Sequence, residues 1–255
     1  MTDNGNTTAG AGCALSQLDV ARFQDGTWQR ISDAVTEEVE IHVMWEQEAE
    51  QRSGEFSLLA WPRDLKPLAL GHVLLDVLPE PLGLRRQATV VETGERSFRV
   101  LVKQSQQIQP AMPAPFASPE SVVQAMQAFI SASGHWDETG CFHRAGVFDT
   151  SLGTLVTRAE DIGRHNCLDR LAGWAQLHDV ALSGKALLTS ARITGSYCAK
   201  ALRAGFRLLV SRSAVTTQAI QLAEQAGASL AGFARPNESR FTVFTDSANR
   251  FAYTG

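Results

Sequence analysis

Alternating apolar and polar residues in the first half of the chain predict short strands. Across residues 35–45, Val39, Ile41 and Val43 alternate with charged or polar neighbours, as in a half-buried strand. Further segments give a strand at 56–61, a helix at 65–78, and a hairpin of 88–92 with 98–102. We therefore predict a flexible lead over residues 1–34 and a small β-rich domain over residues 35–108.

The second half of the chain changes to a regular alternation of strands and helices. Residues 109–118, rich in Pro, Ala and Gln, predict a linker, and Ser118 followed by Pro119 predicts a helix start. Beyond them the pattern predicts helices at 122–130, 164–178, 189–204 and 216–226, and strands at 141–148, 152–156, 180–183, 206–210, 229–234 and 241–245. This order predicts an α/β domain over residues 119–255, with a mainly parallel sheet between helices.

Composition narrows the class of protein. The chain has 255 residues, of which 44% are hydrophobic and 20% charged, with a formal net charge of -4. An acidic protein does not favour nucleic acid or anionic membranes as general partners, although a local basic pocket stays possible. No apolar run reaches a membrane-spanning length and no secretory signal is evident at the start, so we predict a cytoplasmic protein. The four cysteines form no Cys-x-x-Cys pair, and no metal site is predicted.

A dense polar segment lies at residues 160–170, between a predicted strand and a predicted helix. Asp161 could cap the helix, and Gly163 permits close approach of a ligand to the backbone. Arg164 could bind a phosphate or carboxylate, and His165 could exchange a proton near neutral pH. Strand-to-helix junctions often hold ligands, but a solvated helix start would have the same composition.

Two cysteines are candidates for a reactive thiol. Cys141 and His143 would share one face of a strand, and Cys167 would lie in the first turn of a helix, where the dipole favours the thiolate. Ordinary packing is the alternative in both cases, since free cysteine is among the most buried residue types.

Further polar groups follow the predicted strands. Ser183 with Lys185, and Ser211 one strand later, could form a phosphate cradle, although serine is also a common helix cap. Residues Phe233, Ala234, Arg235 and Arg240 are further candidates, because an aromatic ring beside guanidinium groups suits stacking on a base and pairing with phosphate. The alternative is a hairpin with exposed arginines. We expect these edges to converge on one anion-binding cavity.

Taken together, these motifs resemble the FdhD family of formate dehydrogenase accessory proteins. The match covers roughly residues 35–245 and rests on the order and spacing of several segments. The segments are 139–143, 160–166 with Asp169, 182–184, 211–213, and 232–235 with Arg240 and 243–245.

The resemblance implies a cytidine-deaminase-like α/β domain and a homodimer. It also implies a sulfurtransferase that takes sulfur from a cysteine desulfurase and passes it to the bis-molybdopterin guanine dinucleotide cofactor (with molybdenum or tungsten) of formate dehydrogenase. The guanine nucleotide ends would be bound by Phe233, Ala234, Arg235 and Arg240, with His143, His165 and Ser183 lining the site.

One departure from the family concerns the sulfur-carrying Cys-x-x-Cys loop. Residues 102–110, where the resemblance places it, contain no cysteine. Sulfur transfer would then need Cys141 or Cys167, because only a thiolate can carry the persulfide. Two alternatives stay open, a cofactor carrier or chaperone without sulfur chemistry, and an unrelated enzyme that uses His143, His165 and Cys141 on another nucleotide.

Overall fold

A computed structural model describes residues 15–79, 84–107 and 111–253 of the chain. The strands in these ranges form a two-stranded, a four-stranded and a six-stranded sheet. No helix among them combines the length and the apolar character needed to cross a bilayer.

The segment predicted to be a flexible lead instead contains a β-hairpin. Strands β1 (Leu15–Gln24) and β2 (Thr27–Thr36) pair antiparallel around a turn at Asp25 and Gly26, both with positive φ. The rings of Phe23 and Trp28 meet across the turn at 5.3 Å. Sequence reasoning missed this hairpin because its side chains are mostly exposed and give no buried face to read.

The four-stranded sheet has the order β4-β3-β6-β5. Its strands are β3 (Val39–Gln47), β4 (Arg52–Ala60), β5 (Leu84–Gly94) and β6 (Ser97–Gln107). Helix α1 (Leu65–His72) continues into a π-helical turn at Val73–Val77. The predicted strands, helix and hairpin are confirmed here, because Ile41, Val43, Leu68 and Leu70 bury the faces that the pattern marked.

The six-stranded sheet has the order β12-β11-β10-β9-β7-β8. Its strands are β7 (His143–Asp149), β8 (Thr154–Asp161), β9 (Ala186–Thr189), β10 (Leu208–Ser211), β11 (Ser229–Arg235) and β12 (Arg240–Thr245). Only the β9–β10 and β10–β11 pairings are parallel. The prediction of a mainly parallel sheet is therefore wrong, since the short connections β7–β8 and β11–β12 form antiparallel hairpins at the two edges.

Helices cover both faces of this sheet. They are α2 (Pro119–Ser131), α3 (Trp136–Thr139), α4 (Arg164–Leu177), α5 (Gly195–Arg203) and α6 (Thr217–Gln225). Leu187, Leu209 and Leu230 pack with α4, α5 and α6. Leu188 and Val210, one position along their strands, pack with α2 on the opposite face. Two hydrophobic cores thus hold the central strands rigidly in place.

Two further predictions about the α/β domain need correction. The strand expected at 180–183 is absent, and residues Leu182–Gly184 form a 3-10 turn before β9. The helix expected from residue 189 begins only at Gly195. The four-residue strand β9 is buried on both faces, so its apolar run carries no strand periodicity and merges with the pattern of the next helix.

Helices α1 and α4 join the two halves of the fold by direct backbone contact. A Cβ atom added to Gly71 would collide with the carbonyl oxygen of Asp169, and one added to Gly173 would collide with the carbonyl oxygen of Pro67. Beside this contact, the buried Lys200 ammonium donates to Asp169 at 2.7 Å and to Asp76 at 2.6 Å. The site-bearing helix α4 is thereby fixed against the N-terminal unit.

We predict that Gly71→Ala lowers the free energy of unfolding by about 3 kcal/mol, because the obstructing atom is backbone and cannot move aside. Urea denaturation measures the effect. Gly94→Ala is the matched control, since its Cβ would meet nothing closer than Ser97 Cβ at 3.7 Å. Equal stability of the two variants would show that α1 and α4 are not in tight contact.

Candidate anion-binding site

The candidate site lies at the carboxyl edge of the three parallel strands. Thr189 and Ser211 end β9 and β10 side by side, and each strand is followed by a loop that leads into a helix. The two loops are tied together, since Ser211 Oγ donates to Ala191 O at 2.7 Å and Ser213 Oγ donates to Ser190 O at 2.9 Å. Such an edge is where α/β sheets hold ligands.

Two threonines start the helices that leave this edge. Thr194 Oγ1 accepts a hydrogen bond from Tyr197 N and caps α5, and Thr216 Oγ1 accepts one from Ala219 N and caps α6. Ile193 and Val215, which precede them, form a parallel bridge. The helix N-termini therefore lie next to each other and add positive potential to the edge.

Imidazole and guanidinium groups gather at the β7 and α4 side of this edge. Burial, together with the charges of Arg164 and Arg192, lowers the pKa of His143. Burial, with Lys200 and Arg164, lowers the pKa of His165. Both imidazoles therefore favour the neutral form at neutral pH, because positive charges surround them.

Two polar atoms in this group are buried without a hydrogen-bond partner among the described residues. They are His143 Nδ1 and Arg164 Nε. Unpaired buried polar atoms are costly and uncommon, so they point to a group that binds there. An anion could accept from both, because an arginine always donates and a neutral imidazole can donate from one nitrogen.

An open cleft of about 370 Å³ lies further along the edge, past the end of β10. Residues from helix α2, the loop after β10 and the β11–β12 turn line it, namely Gln127, Ile130, Arg212, Ser213, Arg235, Pro236, Asn237 and Glu238. Arg212 also packs against the Trp136 ring, 5.8 Å from its centroid. Two guanidinium groups on one concave surface suit a phosphorylated ligand.

The end of β11 has an unusual backbone. Phe233 has a φ of 51°, a left-handed conformation that costs a residue with a side chain about 1 kcal/mol or more. Its N–H donates to Ser213 O at 2.9 Å, which fixes the β11 end against the β10 loop. Ala234 is buried in the core, so it can reach a ligand only through its backbone, while Arg235 and Arg240 are exposed.

Asp161 lies at the start of α4 and pairs with a buried arginine of that helix. It is fully buried, accepts from Arg170 Nε at 2.8 Å and from Gly163 N at 2.9 Å, and also accepts from Asn166. Helix α4 starts at Gly163 without a side-chain cap. Asp161 thus accepts the N–H of the N-cap residue but none from the first turn of α4, and its buried pairing with Arg170 indicates a structural role.

Ser183 and Lys185 do not belong to this edge. They precede β9 and therefore lie at the opposite end of the sheet, where Lys185 Nζ pairs with Asp149. Ser211 is at the carboxyl edge, but its buried hydroxyl is used within the fold. The prediction that Ser183 and Lys185 join a single cavity is therefore wrong. It assumed a strand at 180–183 that would end at these residues, whereas they precede β9.

The two candidate thiols differ in accessibility. Cys141 is exposed and precedes β7, so it does not share a strand face with His143 as predicted. Cys167 is fully buried, and its Sγ contacts His143 O at 3.4 Å. Burial raises the pKa of Cys167 well above its usual value, which opposes the expected effect of the helix dipole.

Sequence reasoning did not select Arg192, Arg212, Trp136 or Glu238 as site residues. A repeat could have revealed both arginine-bearing loops. Residues 187–194 read Leu-Leu-Thr-Ser-Ala-Arg-Ile-Thr, and residues 209–216 read Leu-Val-Ser-Arg-Ser-Ala-Val-Thr. Each is a buried strand end, a polar loop with one arginine, a β-branched residue and a threonine cap.

A second cluster, of potential metal ligands, lies where α1 and its π-helical turn meet α4, and a lysine neutralises its carboxylates. His72, Asp76 and Asp169 lie close enough together to hold a cation. The Lys200 ammonium bonds both carboxylates, so the position has its positive charge from the protein.

These features define a class, an α/β protein with two arginine-bearing loops side by side at the carboxyl edge of its parallel strands. Comparison with known proteins identifies the family within that class. A sequence model of the FdhD/NarQ family matches residues 83–251, and the chain belongs to that family. The predicted resemblance to FdhD proteins is thereby confirmed.

Individual relatives agree with this assignment. The chain is 36% identical over 128 residues to the sulfur carrier protein FdhD of Bacillus subtilis, covering 50% of this chain and 47% of the relative. It is 35% identical over 124 residues to protein FdhD of Methanocaldococcus jannaschii, covering 49% of this chain and 53% of the relative. The chain thus spans about half the length of these curated relatives.

A solved structure shows the fold. The chain is similar to a protein of Desulfotalea psychrophila that was provisionally assigned as a formate dehydrogenase accessory protein. The TM-score is 0.75 at 20% identity, covering 93% of this chain and 99% of the other.

We predict that Asp161→Ala lowers the free energy of unfolding by about 3–5 kcal/mol, because it leaves the buried Arg170 guanidinium without its counter-ion. Asp33→Ala is the control, since it breaks an exposed aspartate–arginine pair with Arg22, which is worth less than about 1 kcal/mol. Chemical denaturation of both variants makes the comparison. A stable Asp161→Ala protein would argue that Asp161 serves a ligand instead of the fold.

Proposed function

We propose that this protein is a formate dehydrogenase accessory protein that binds the bis-molybdopterin guanine dinucleotide cofactor by its guanine nucleotide ends and assists its sulfuration. Family membership and the names of its relatives support the class. The observation that carries the binding step is the group of guanidinium side chains at one sheet edge of an acidic protein, Arg164, Arg192, Arg212 and Arg235.

The residues of this edge fit a nucleotide diphosphate. Arg164 Nε is a buried donor, and His143 Nδ1 is a buried nitrogen that donates in one tautomer; neither has a partner among the described residues, and Arg212 and Arg235 offer further donors at the cleft. A cleft of about 370 Å³ suits one nucleotide end of the cofactor. Trp136 supplies aromatic surface against Arg212, and Phe233 lies two residues before Arg235 on β11. The bound cofactor supplies the metal that accepts sulfur, while these residues bind and orient it.

The proposal includes the partners that such work needs. A cysteine desulfurase would supply the persulfide, formate dehydrogenase would receive the cofactor, and the protein would act in the cytoplasm as a homodimer. Among the cysteines at described positions, Cys141 is the exposed one and the best candidate to carry sulfur.

A second candidate function is a cofactor carrier without sulfur chemistry. The chain has no cysteine between Cys13 and Cys141, and Cys167 and Cys198 are buried. Burial raises the pKa of Cys198 to about 11, so its thiol is a poor nucleophile at neutral pH. Among the described positions, Cys141 is therefore the thiol whose reactivity would distinguish a sulfur-transferring protein from a cofactor carrier.

We predict that guanosine diphosphate binds this edge and that Arg235→Ala weakens the binding about tenfold or more, through loss of charge-assisted hydrogen bonds to phosphate. Isothermal titration calorimetry measures the affinity. Arg99→Ala is the matched control, because Arg99 and Arg235 have the same side-chain exposure of 46% and each pairs with a glutamate. Equal losses in both variants, or no binding at all, would contradict the proposed cleft.

We predict that incubation with a cysteine desulfurase and cysteine places a persulfide on Cys141, because its thiol is accessible. Persulfide-specific labelling and mass spectrometry detect it. The label should disappear in Cys141→Ala and persist in Cys198→Ala, which removes a buried thiol. A protein without label that still binds the nucleotide would be the carrier of the second candidate function.

A further inference from the structure

The carboxylate of Glu238 forms ion pairs with two candidate site residues, Arg235 and Arg240. Its Oε1 accepts from Arg235 Nη1 at 3.2 Å, and its Oε2 accepts from Arg240 Nε. All three side chains are about half exposed, and Glu238 itself lines the cleft. Each carboxylate oxygen therefore takes one guanidinium group.

The β11–β12 turn holds this arrangement in place. Arg235 and Arg240 are cross-strand partners in the β11–β12 pairing, which brings the two guanidinium groups to the same end of the hairpin. The turn between them is a 3-10 turn at Pro236–Glu238, closed by Ser239 with a φ of 47°. Glu238 is thus presented between the arginines by local geometry.

A carboxylate between two guanidinium groups makes the same contacts as a phosphate there. Both anions accept charge-assisted hydrogen bonds from the arginine fork. The hydrogen bonds from Arg235 and Arg240 also lower the pKa of Glu238, so it stays ionised at neutral pH. A phosphate entering the cleft meets arginine donors that are already in use and a negative charge.

We propose that Glu238 is a built-in competitor that holds Arg235 and Arg240 until a ligand with phosphate groups displaces it. This inference rests on the proposed function, since it assigns a selective role within the same nucleotide-binding site. A ligand without phosphate gains nothing from displacing Glu238, whereas a diphosphate replaces one carboxylate charge with more than one. Glu238 therefore sets the minimum anionic charge that the cleft accepts.

The exposure of the Glu238 ion pairs determines how much the removal of Glu238 should change ligand affinity. Exposed ion pairs are weak and are screened by salt, so removing Glu238 should strengthen diphosphate binding by about twofold to fivefold at low ionic strength. The gain should shrink as salt is added.

The test compares Glu238→Gln with Glu46→Gln in the full chain. Glu46 is an exposed glutamate, 3.7 Å from Arg99, with a side-chain exposure of 50% against 46% for Glu238. Both variants remove one negative charge, and only Glu238→Gln releases Arg235, which lines the cleft, together with its cross-strand neighbour Arg240. Calorimetric titrations would use guanosine diphosphate, guanosine and inorganic pyrophosphate at low and high salt.

The expected result is tighter binding of guanosine diphosphate and pyrophosphate by Glu238→Gln alone, with guanosine binding unchanged. Equal affinities in wild type and Glu238→Gln would overturn the inference and leave the nucleotide site intact. An equal gain in Glu46→Gln would also overturn it, because overall charge would then explain the effect. If only pyrophosphate responded and no nucleotide bound, the role of Glu238 would stand and the proposed function would fail. No binding of any probe by any protein would overturn both.

Discussion

The candidate site depends on the parallel register of β9 and β10. Leu187 pairs with Leu209 and Thr189 with Ser211, and the same offset continues past the strands to the bridge of Ile193 with Val215. Because the register persists through both loops, two similar strand–loop–helix units bring their arginine-bearing loops and helix N-termini to the same edge of the sheet. A shift by one residue would turn the leucines away from their core and break the hydrogen bonds between the loops.

The fold separates two uses of charge. In the interior, Arg170 with Asp161, Arg144 with Glu160 and Lys200 with Asp169 form buried pairs that fix the sheet and α4 in place. Removal of one partner would leave a buried charge, so these pairs specify the arrangement of the elements. At the carboxyl edge, by contrast, Arg192, Arg212 and Arg235 are exposed. A protein with a net charge of -4 therefore still has a local group of positive charges at this edge.

Sequence patterns predicted most of the elements because most of them have one buried face. The alternation at residues 39–43 marked β3, and Ser118 before Pro119 marked the start of α2, where the serine side chain does accept from Ser121 N. The pattern failed at β9, which is buried on both faces, and at the β1–β2 hairpin, which is exposed on both. The family resemblance came from motif order, which does not require the elements to be placed correctly.

Predictions at the site failed where a side chain was given a chemical role from its residue type and helix position alone, without knowledge of how deeply it is buried. Cys167 has the helix position that favours a thiolate, yet full burial raises its pKa. Asp161 has the position of a cap, yet it is used by Arg170. Arg235 and Arg240 stay candidates, since both are exposed on the β11–β12 hairpin, while Glu238, which pairs with both, went unnoticed as an ordinary turn residue.

The proposed binding of an anion at this edge would be linked to the binding of protons. Burial and nearby positive charges hold His143 and His165 neutral, and His143 Nδ1 and Arg164 Nε are buried without partners among the described residues. A bound phosphate would oppose those charges and raise the pKa of each imidazole, so binding would take up protons. By linkage, the affinity for an anion then increases as the pH falls toward the imidazole range. The proposed site would thus gain positive charge together with a bound anion, whereas its neutral imidazoles add nothing to the repulsion among its arginines.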